Sequence, residues 1–380
     1  MDSKKRNKSR QLLIETLFAW IRAALWNQQV ENPVLTPEVC LRLFNLSKFQ
    51  TVHSLIASAW LKYEDRMSRN DKLRAYFVYK TIKEGNESLN NSIEKIAVAM
   101  EKHNVEYVIV KGQTVGVYYP APETRIPGDI DIFISSRDLT RIANVLKEEF
   151  GADLSPLNTH RHQSTEILGS VVEVHNRLVD LNSSKHRRYW DKIYSNCFQQ
   201  FETVEINGKS VRTLDATRNV LYVFQHLYFH LLVMGIGLRQ LVDLAVLINS
   251  LKDQIDKQEL GKHLHELGLY EAFCAIGWVL INKMGLDEDV FPFIIEERYK
   301  KYEKNIIKEI FKHGNFGKYN RKINRIGKLH TLETASIFIY HSFLFFRLSP
   351  REILMMIPRR LAICCDVLIK KLFSYFKHNN

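Results

Sequence analysis

The chain is poor in the residues that punctuate turns: 380 residues hold only 16 Gly and 9 Pro. That scarcity excludes a turn-rich all-β protein and a low-complexity disordered chain. Cysteine is equally sparse, five in all at Cys40, Cys197, Cys274, Cys364 and Cys365, with no CxxC pair. An odd, scattered set is poor material for a disulfide framework, and a reducing cytoplasm fits it best. Uninterrupted apolar runs of spanning length are missing too. Asn219–Leu238 carries no formal charge over 20 residues, but Asn219, Gln225, His226, His230, Gly235 and Gly237 fall inside it, so it reads as a buried core helix. The stretch QLLIETLFAWIRAALW carries Glu15 and Arg22 at helical spacing and reads as an amphipathic helix, not a signal peptide. No transmembrane segment is expected.

What the chain does have is positive charge: 54 Lys and Arg against 42 Asp and Glu give +12, which favours an anionic partner. From Glu296 to Lys328 eleven Lys or Arg face four Glu, a net +7, with Phe311, Phe316 and Tyr319 interleaved. Such a segment suits single-stranded nucleic acid or is a solvated helix followed by a loop. The basic, apolar C-terminal tail is a candidate for peripheral membrane contact.

Three regions follow from the texture of the sequence. Residues 1–100 show repeated 3.6-period apolar positions and read as an N-terminal helical region. Residues 101–214 hold the short β-branched runs YVIV, DIDIFI, EIL and VVEVH. Residues 215–380, beginning at a candidate N-cap, Asp215, return to helical patterns and contain the basic segment 296–328.

The chemistry is concentrated in the centre. The strand at 107–110 runs straight into Lys111-Gly112-Gln113-Thr114 and an apolar helical turn. A Gly at such a junction lets the chain turn sharply and leaves free N–H groups pointing outward, which suits a phosphate. In RIPGDIDIFI, Asp129 and Asp131 are two apart and project from one face. Carboxylates held side by side repel unless a cation lies between them, and a pair of divalent ions is the usual solution. STEILGSVVEVH reads as a hairpin with Gly169-Ser170 as its turn, which pairs Glu166 with Glu173. Glu173, set among valines, is the stronger third ligand and Glu166 the weaker. His175 shares the face of Glu173 and either orients a ligand, contacts substrate or packs in the sheet. His226 and His230 are four apart on one helix, metal-ligand spacing without a third ligand, and so read as packing or a polar edge of the site. Arg239 and Asp243, also four apart, form either a helix ion pair or a means of bringing Arg239 to a nucleotide.

Strand, Gly turn, helix, Asp-x-Asp strand and a later acid together resemble the DNA polymerase beta-like nucleotidyltransferase superfamily. More closely, VKGQTVGVYYPAPETRIPGDIDIFI with EVHNRL, GLRQLVDLA and GNFG resembles the bacterial family of uncharacterised nucleotidyltransferases, over roughly residues 100 to 330. Members of that family often accompany polysaccharide-biosynthesis genes. The resemblance implies an α+β fold: a small mixed β-sheet nucleotidyltransferase core with helical N-terminal and C-terminal regions. It implies Asp129, Asp131 and Glu173 as catalytic metal ligands for two Mg²⁺ ions, with Mn²⁺ as a substitute. Lys111, Gly112, Thr114, Arg125 and Arg239 would bind the nucleotide. Gln113-Thr114 departs from the usual small residue and Ser at this turn, a variant that resembles toxin-type nucleotidyltransferases, with Thr114 replacing the Ser hydroxyl. The expected partner is an NTP. The acceptor is a small molecule, a sugar, or a tRNA or other RNA. Alternatives of another class are a non-catalytic nucleotide-binding scaffold and a membrane-peripheral component of surface-polysaccharide assembly.

Overall fold

The computed structural model describes residues 2–31, 33–155, 162–179, 181–233, 235–314 and 339–358. Four helices open the chain: α1 (Asp2–Trp26), α2 (Pro37–Phe49), α3 (His53–Leu61) and the long α4 (Arg69–Lys102). Ser68 caps α4, its hydroxyl accepting from the Asp71 amide, one of the donors a helix start leaves unpaired. Then come β1 (Tyr107–Val110), the one-turn α5 (Gly112–Gly116), β2 (Ile130–Ile134), α6 (Leu139–Phe150), β3 (His162–Ile167), β4 (Ser170–His175) and α7 (Ser184–Ile193). A second hairpin, β5 (Phe201–Ile206) and β6 (Lys209–Leu214), precedes α8 (Ala216–Val233), α9 (Leu238–Leu251), α10 (Lys257–Glu266), α11 (Tyr270–Asn282) and α12 (Lys300–His313).

The four-stranded sheet has the order β1-β2-β4-β3, with β2 and β4 parallel and the outer pairs antiparallel. Strand alternation sorts its faces. Ile109, Ile130, Ile132, Ile134, Val172 and Val174 join Ile93, Ile96 and Met100 of α4 and Val145 and Leu146 of α6 in one apolar core. Val108, Val110 and Phe133 point the other way, into a second core built from α1–α3 and α8–α12. Asp131 and Glu173 share that second face by parity, so the same alternation that buries the isoleucines turns the carboxylates toward α8. The fold is α+β, largely helical around a small mixed sheet, as the resemblance implies.

One register expectation is corrected. The hairpin turn is Leu168-Gly169, not Gly169-Ser170: Ile167 pairs with Ser170, Glu166 with Val171 and Ser164 with Glu173. Leu168 and Gly169 both have positive φ (52° and 77°), the primed turn that matches strand twist, with Gly in its second position. The shift keeps Glu166 on the face of Glu173 but moves it two residues toward the turn, where it is exposed and does not line the cavity described below. The β5–β6 turn, Asn207-Gly208, is built the same way with φ of 54° and 74°.

α8 is a buried core helix, with Asn219 and Gln225 both buried, and no described helix is long and apolar enough to cross a membrane. Asp215 caps its first turn through the Arg218 amide. Cys40, Cys197 and Cys274 are free and buried, and burial pushes their thiols up, to about 11, 12 and 11. Such thiols are inert packing groups. Cys364 and Cys365, most of the C-terminal tail, and the part of the basic segment beyond Gly314, GNFG included, lie outside the described residues.

Candidate active site

At the end of β1 the chain makes a strained turn. Lys111 sits at φ 58°, ψ −149°, a region almost reserved for glycine, and Gly112 follows at φ 48°. Strain of this kind costs about 1–3 kcal/mol and persists where the surroundings over-determine it. Here the Gln113 amide donates to Asn86 and Asn90 of α4 at 3.0 and 2.8 Å, pinning the turn to the long helix. A side chain on Gly112 would meet the Asp129 carbonyl at 3.4 Å, so the turn packs closely on the start of β2. Thr114 does not take the role expected of it: it is fully buried and its hydroxyl donates to the Lys111 carbonyl at 2.7 Å. It closes the turn and takes no part in lining the cavity.

Beyond the turn lies a cavity of about 310 Å³ between the sheet face, α8 and α9. Asp131 and Glu173 are register partners on adjacent parallel strands, and exposed Asp129 stands two residues before Asp131 at the mouth. The Lys111 ammonium lies 3.0 Å from Asp131 Oδ1, and His175 Nε2 lies 2.9 Å from the same oxygen and 3.4 Å from Glu173 Oε2. Burial alone would raise the Asp131 carboxyl, but Lys111 and His175 override it and hold it at about 2. Burial would lower His175, and its bonds to Asp131 and Glu173 raise it instead. Asp129 goes the other way: surrounding protein and the Asp131 carboxylate push it above the ordinary range.

These donors fit a divalent ion. Asp131, Glu173 and His175 each bring a ligand atom within 4.8 Å of the others, and Asp129 adds a carboxylate. Magnesium and manganese prefer hard carboxylate oxygens, so an ion of that class bound here would be held by the acids in preference to the imidazole. His175, bonded to two of them, has the geometry of a residue that orients ligands.

Two arginines line the same cavity as the acids. Arg125 is buried and forms a two-pronged pair with Asp243, Nε and Nη2 each 2.9 Å from a carboxylate oxygen, and the Tyr119 hydroxyl donates to the same carboxylate at 2.6 Å. Asp243 is therefore the partner of Arg125, and the i,i+4 pair with Arg239 is not the one formed. Arg239 donates from Nη1 to the Ile126 carbonyl at 3.1 Å. Buried Arg125 Nη1 and Arg239 Nε have no hydrogen-bond partner among the described residues. Burial and neighbouring Arg125 lower the Arg239 pKa against the opposing pull of Asp243.

The α8 wall was only partly legible. His226 and His230 line the cavity with ring centroids 4.4 Å apart, the polar-edge reading, and burial followed by the Lys111 charge holds His226 far below its usual pKa, hence neutral. Tyr222, one turn before His226, places its ring 5.7 Å from the Lys111 ammonium, and Leu178, Val179 and Phe229 supply an apolar wall. The helical spacing from His226 was the available signal for Tyr222.

Among solved structures, an antigenic nucleotidyltransferase-like protein from Paracoccidioides brasiliensis is 14% identical, with a TM-score of 0.34 over 56% of this chain and 96% of that one. The antibiotic-resistance factor ANT(2'')-Ia is also 14% identical, with a TM-score of 0.32 over 50% of this chain and 94% of its own. No curated protein matches the sequence. The family model described as uncharacterised nucleotidyltransferase matches residues 41–283, a span that holds every side chain of the cavity just described. That match covers well over half of the chain, which therefore belongs to this nucleotidyltransferase family.

Proposed function

We propose that this nucleotidyltransferase moves a nucleoside monophosphate from an NTP to a hydroxyl-bearing acceptor, releases pyrophosphate, and depends on Mg²⁺ or Mn²⁺. The observation that carries the reading is the in-register pair Asp131 and Glu173, with Asp129 beside them, in one cavity with Arg125 and Arg239. Acids and cations lining one cavity suit a triphosphate that is itself bound through metal.

Divalent ions held by Asp129, Asp131 and Glu173 would neutralise charge on the α-phosphate and pyrophosphate and acidify the acceptor hydroxyl. The side chains do the rest. The acceptor oxygen forms its bond to the α-phosphorus as the bond to the β-phosphate bridging oxygen breaks. Glu173, the least buried acid of the in-register pair, is placed to take the hydroxyl proton. Lys111 and Arg239 meet phosphate oxygens, Arg125 braces them from its pair with Asp243, and His175 keeps Asp131 oriented. The apolar wall of Leu178, Val179 and Phe229 supports a nucleobase and a small or sugar-type acceptor within the cavity. A link to surface-polysaccharide assembly would follow from such an acceptor.

The test is incubation with each α-labelled NTP, Mg²⁺ and a cell extract, then resolution of where label lands. Label on a small molecule or sugar, lost in the Asp129→Ala, Asp131→Ala double variant, is expected. Label on RNA, with affinity falling at a slope of about −0.7 per neutralised phosphate in log salt, would redirect the acceptor. No NTP binding with Mg²⁺, or transfer unchanged in the double variant, would sink the proposal.

A further inference from the structure

A second cluster of ligating side chains lies outside the cavity. Glu309 and His313 are four apart on α12 and face the same way, and His341 comes from the helical residues 339–345. All three are buried, Glu309 and His341 fully. His341 Nε2 lies 3.0 Å and His313 Nε2 3.2 Å from one carboxylate oxygen, Glu309 Oε2, and the three ligand atoms fall within 4.8 Å of each other. The other Glu309 oxygen accepts from the Tyr340 hydroxyl at 3.5 Å, and the half-exposed Lys312 ammonium approaches Oε2 to 3.7 Å.

Two details point to a cation at the centre. His341 Nδ1 faces the Leu232 carbonyl at 3.2 Å, an acceptor only, so that nitrogen carries the proton. The Nε2 contact with the Glu309 carboxylate is then favourable only with positive charge on it, either a proton on Nε2 or a metal ion between the two atoms. A ligating histidine ordinarily donates its other N–H to a carbonyl in this way. His313 Nε2 is buried and has no hydrogen-bond partner among the described residues, although it is aimed at the same oxygen. Tetrahedral ligands about 2.0–2.1 Å from zinc stand about 3.3 Å apart, close to both nitrogen–oxygen distances.

We propose that Glu309, His313 and His341 form a structural site for a divalent cation of the zinc class. Two imidazoles and a carboxylate select zinc-like ions over magnesium. The site clamps α12 and residues 339–345 onto the turn between α8 and α9: His341 bonds Leu232 at the end of α8, and a side chain on Gly235 would come within 2.6 Å of His313 Cβ. Both helices line the cavity, so the clamp bears on its shape.

The probe is Zn²⁺ alone, added to the EDTA-treated full chain and followed by desalting and elemental analysis. The Glu173→Gln variant, altered only in the cavity, retains at least one equivalent, and adding His313→Gln removes it or weakens zinc affinity at least tenfold. Equal zinc content with and without His313→Gln, or none retained by the unmodified chain, overturns the proposal. Cobalt(II) on the unmodified chain gives a readout free of folding defects: the intense visible bands of a four-coordinate site, persisting in excess Mg²⁺, are expected. Faint six-coordinate bands, or bands that Mg²⁺ abolishes, count against it.

Discussion

Asp243 shows what a single side chain carries in this molecule. It accepts two bonds from Arg125 and one from Tyr119, all buried, and the Arg125 pair is what holds a guanidinium at the cavity wall. Removing one member of a buried pair leaves the other charge uncompensated, at a cost of about 3–5 kcal/mol. Asp243→Asn should therefore lower the denaturant midpoint by that amount of stability, with the slope of the transition unchanged. That Asp129, Asp131 and Glu173 come together at one cavity was legible in the sequence because charged residues amid β-branched runs have few structural reasons to exist. The Arg125–Asp243 pair was not, since it joins residues 118 positions apart and local spacing offered Arg239 as the nearer partner. Thr114 was misread for a related reason: a hydroxyl at a turn can serve the backbone as readily as a ligand, and burial decides which.

At the level of elements, the β3–β4 hairpin separates two acids that the sequence placed face to face. With Glu166 paired to Val171 and Glu173 to Ser164, only Glu173 reaches the site. Glu166→Gln should leave the transfer rate within about twofold, whereas Glu173→Gln should lower it about 10²–10³-fold, measured as initial rates with labelled NTP. The turn was legible in kind but not in register. Both Leu168-Gly169 and Asn207-Gly208 place Gly second, and the alternation on both flanks alone did not choose between two turns one residue apart. α12 makes a different prediction. Burial would raise the Glu309 carboxyl, yet the His313 and His341 rings and the Lys312 charge beside it hold it far below the ordinary range. The unfolded chain, titrating near about 4.3, then binds more protons than the native one as the solution turns acid. The stability Glu309 contributes is complete above that pH and is lost as the pH falls below it. Melting temperature in chelator should drop steeply from about pH 5 downward, and Glu309→Gln should flatten that slope while lowering the neutral-pH plateau.

Over the described residues as a whole, α1 shares one core with α11 and α12. Phe18, Trp20 and Ile21 of α1 are buried with Leu280, Ile306 and Ile310, and the Arg22 and Trp26 side chains donate to the Lys283 and Met284 carbonyls at 3.0 and 2.7 Å. Trp20→Ala should cost about 3–5 kcal/mol in urea unfolding and show as a lowered midpoint of the helical circular-dichroism signal. Amphipathic periodicity announced that α1 buries a face but not what it buries it against, because partner choice is a property of packing between distant segments. The sheet at the centre has a further consequence. Asp131 and Glu173 are neighbours across one interstrand step of about 4.8 Å, so the spacing of their backbones is gauged by the hydrogen-bond pitch between peptide chains and not by loop length. The 41 residues between them are free to lengthen, shorten or diverge without disturbing that gauge, provided both strands keep their phase. The centre of the proposed reaction would thus rest on a constant of the backbone, with choice of substrate left to the walls around it.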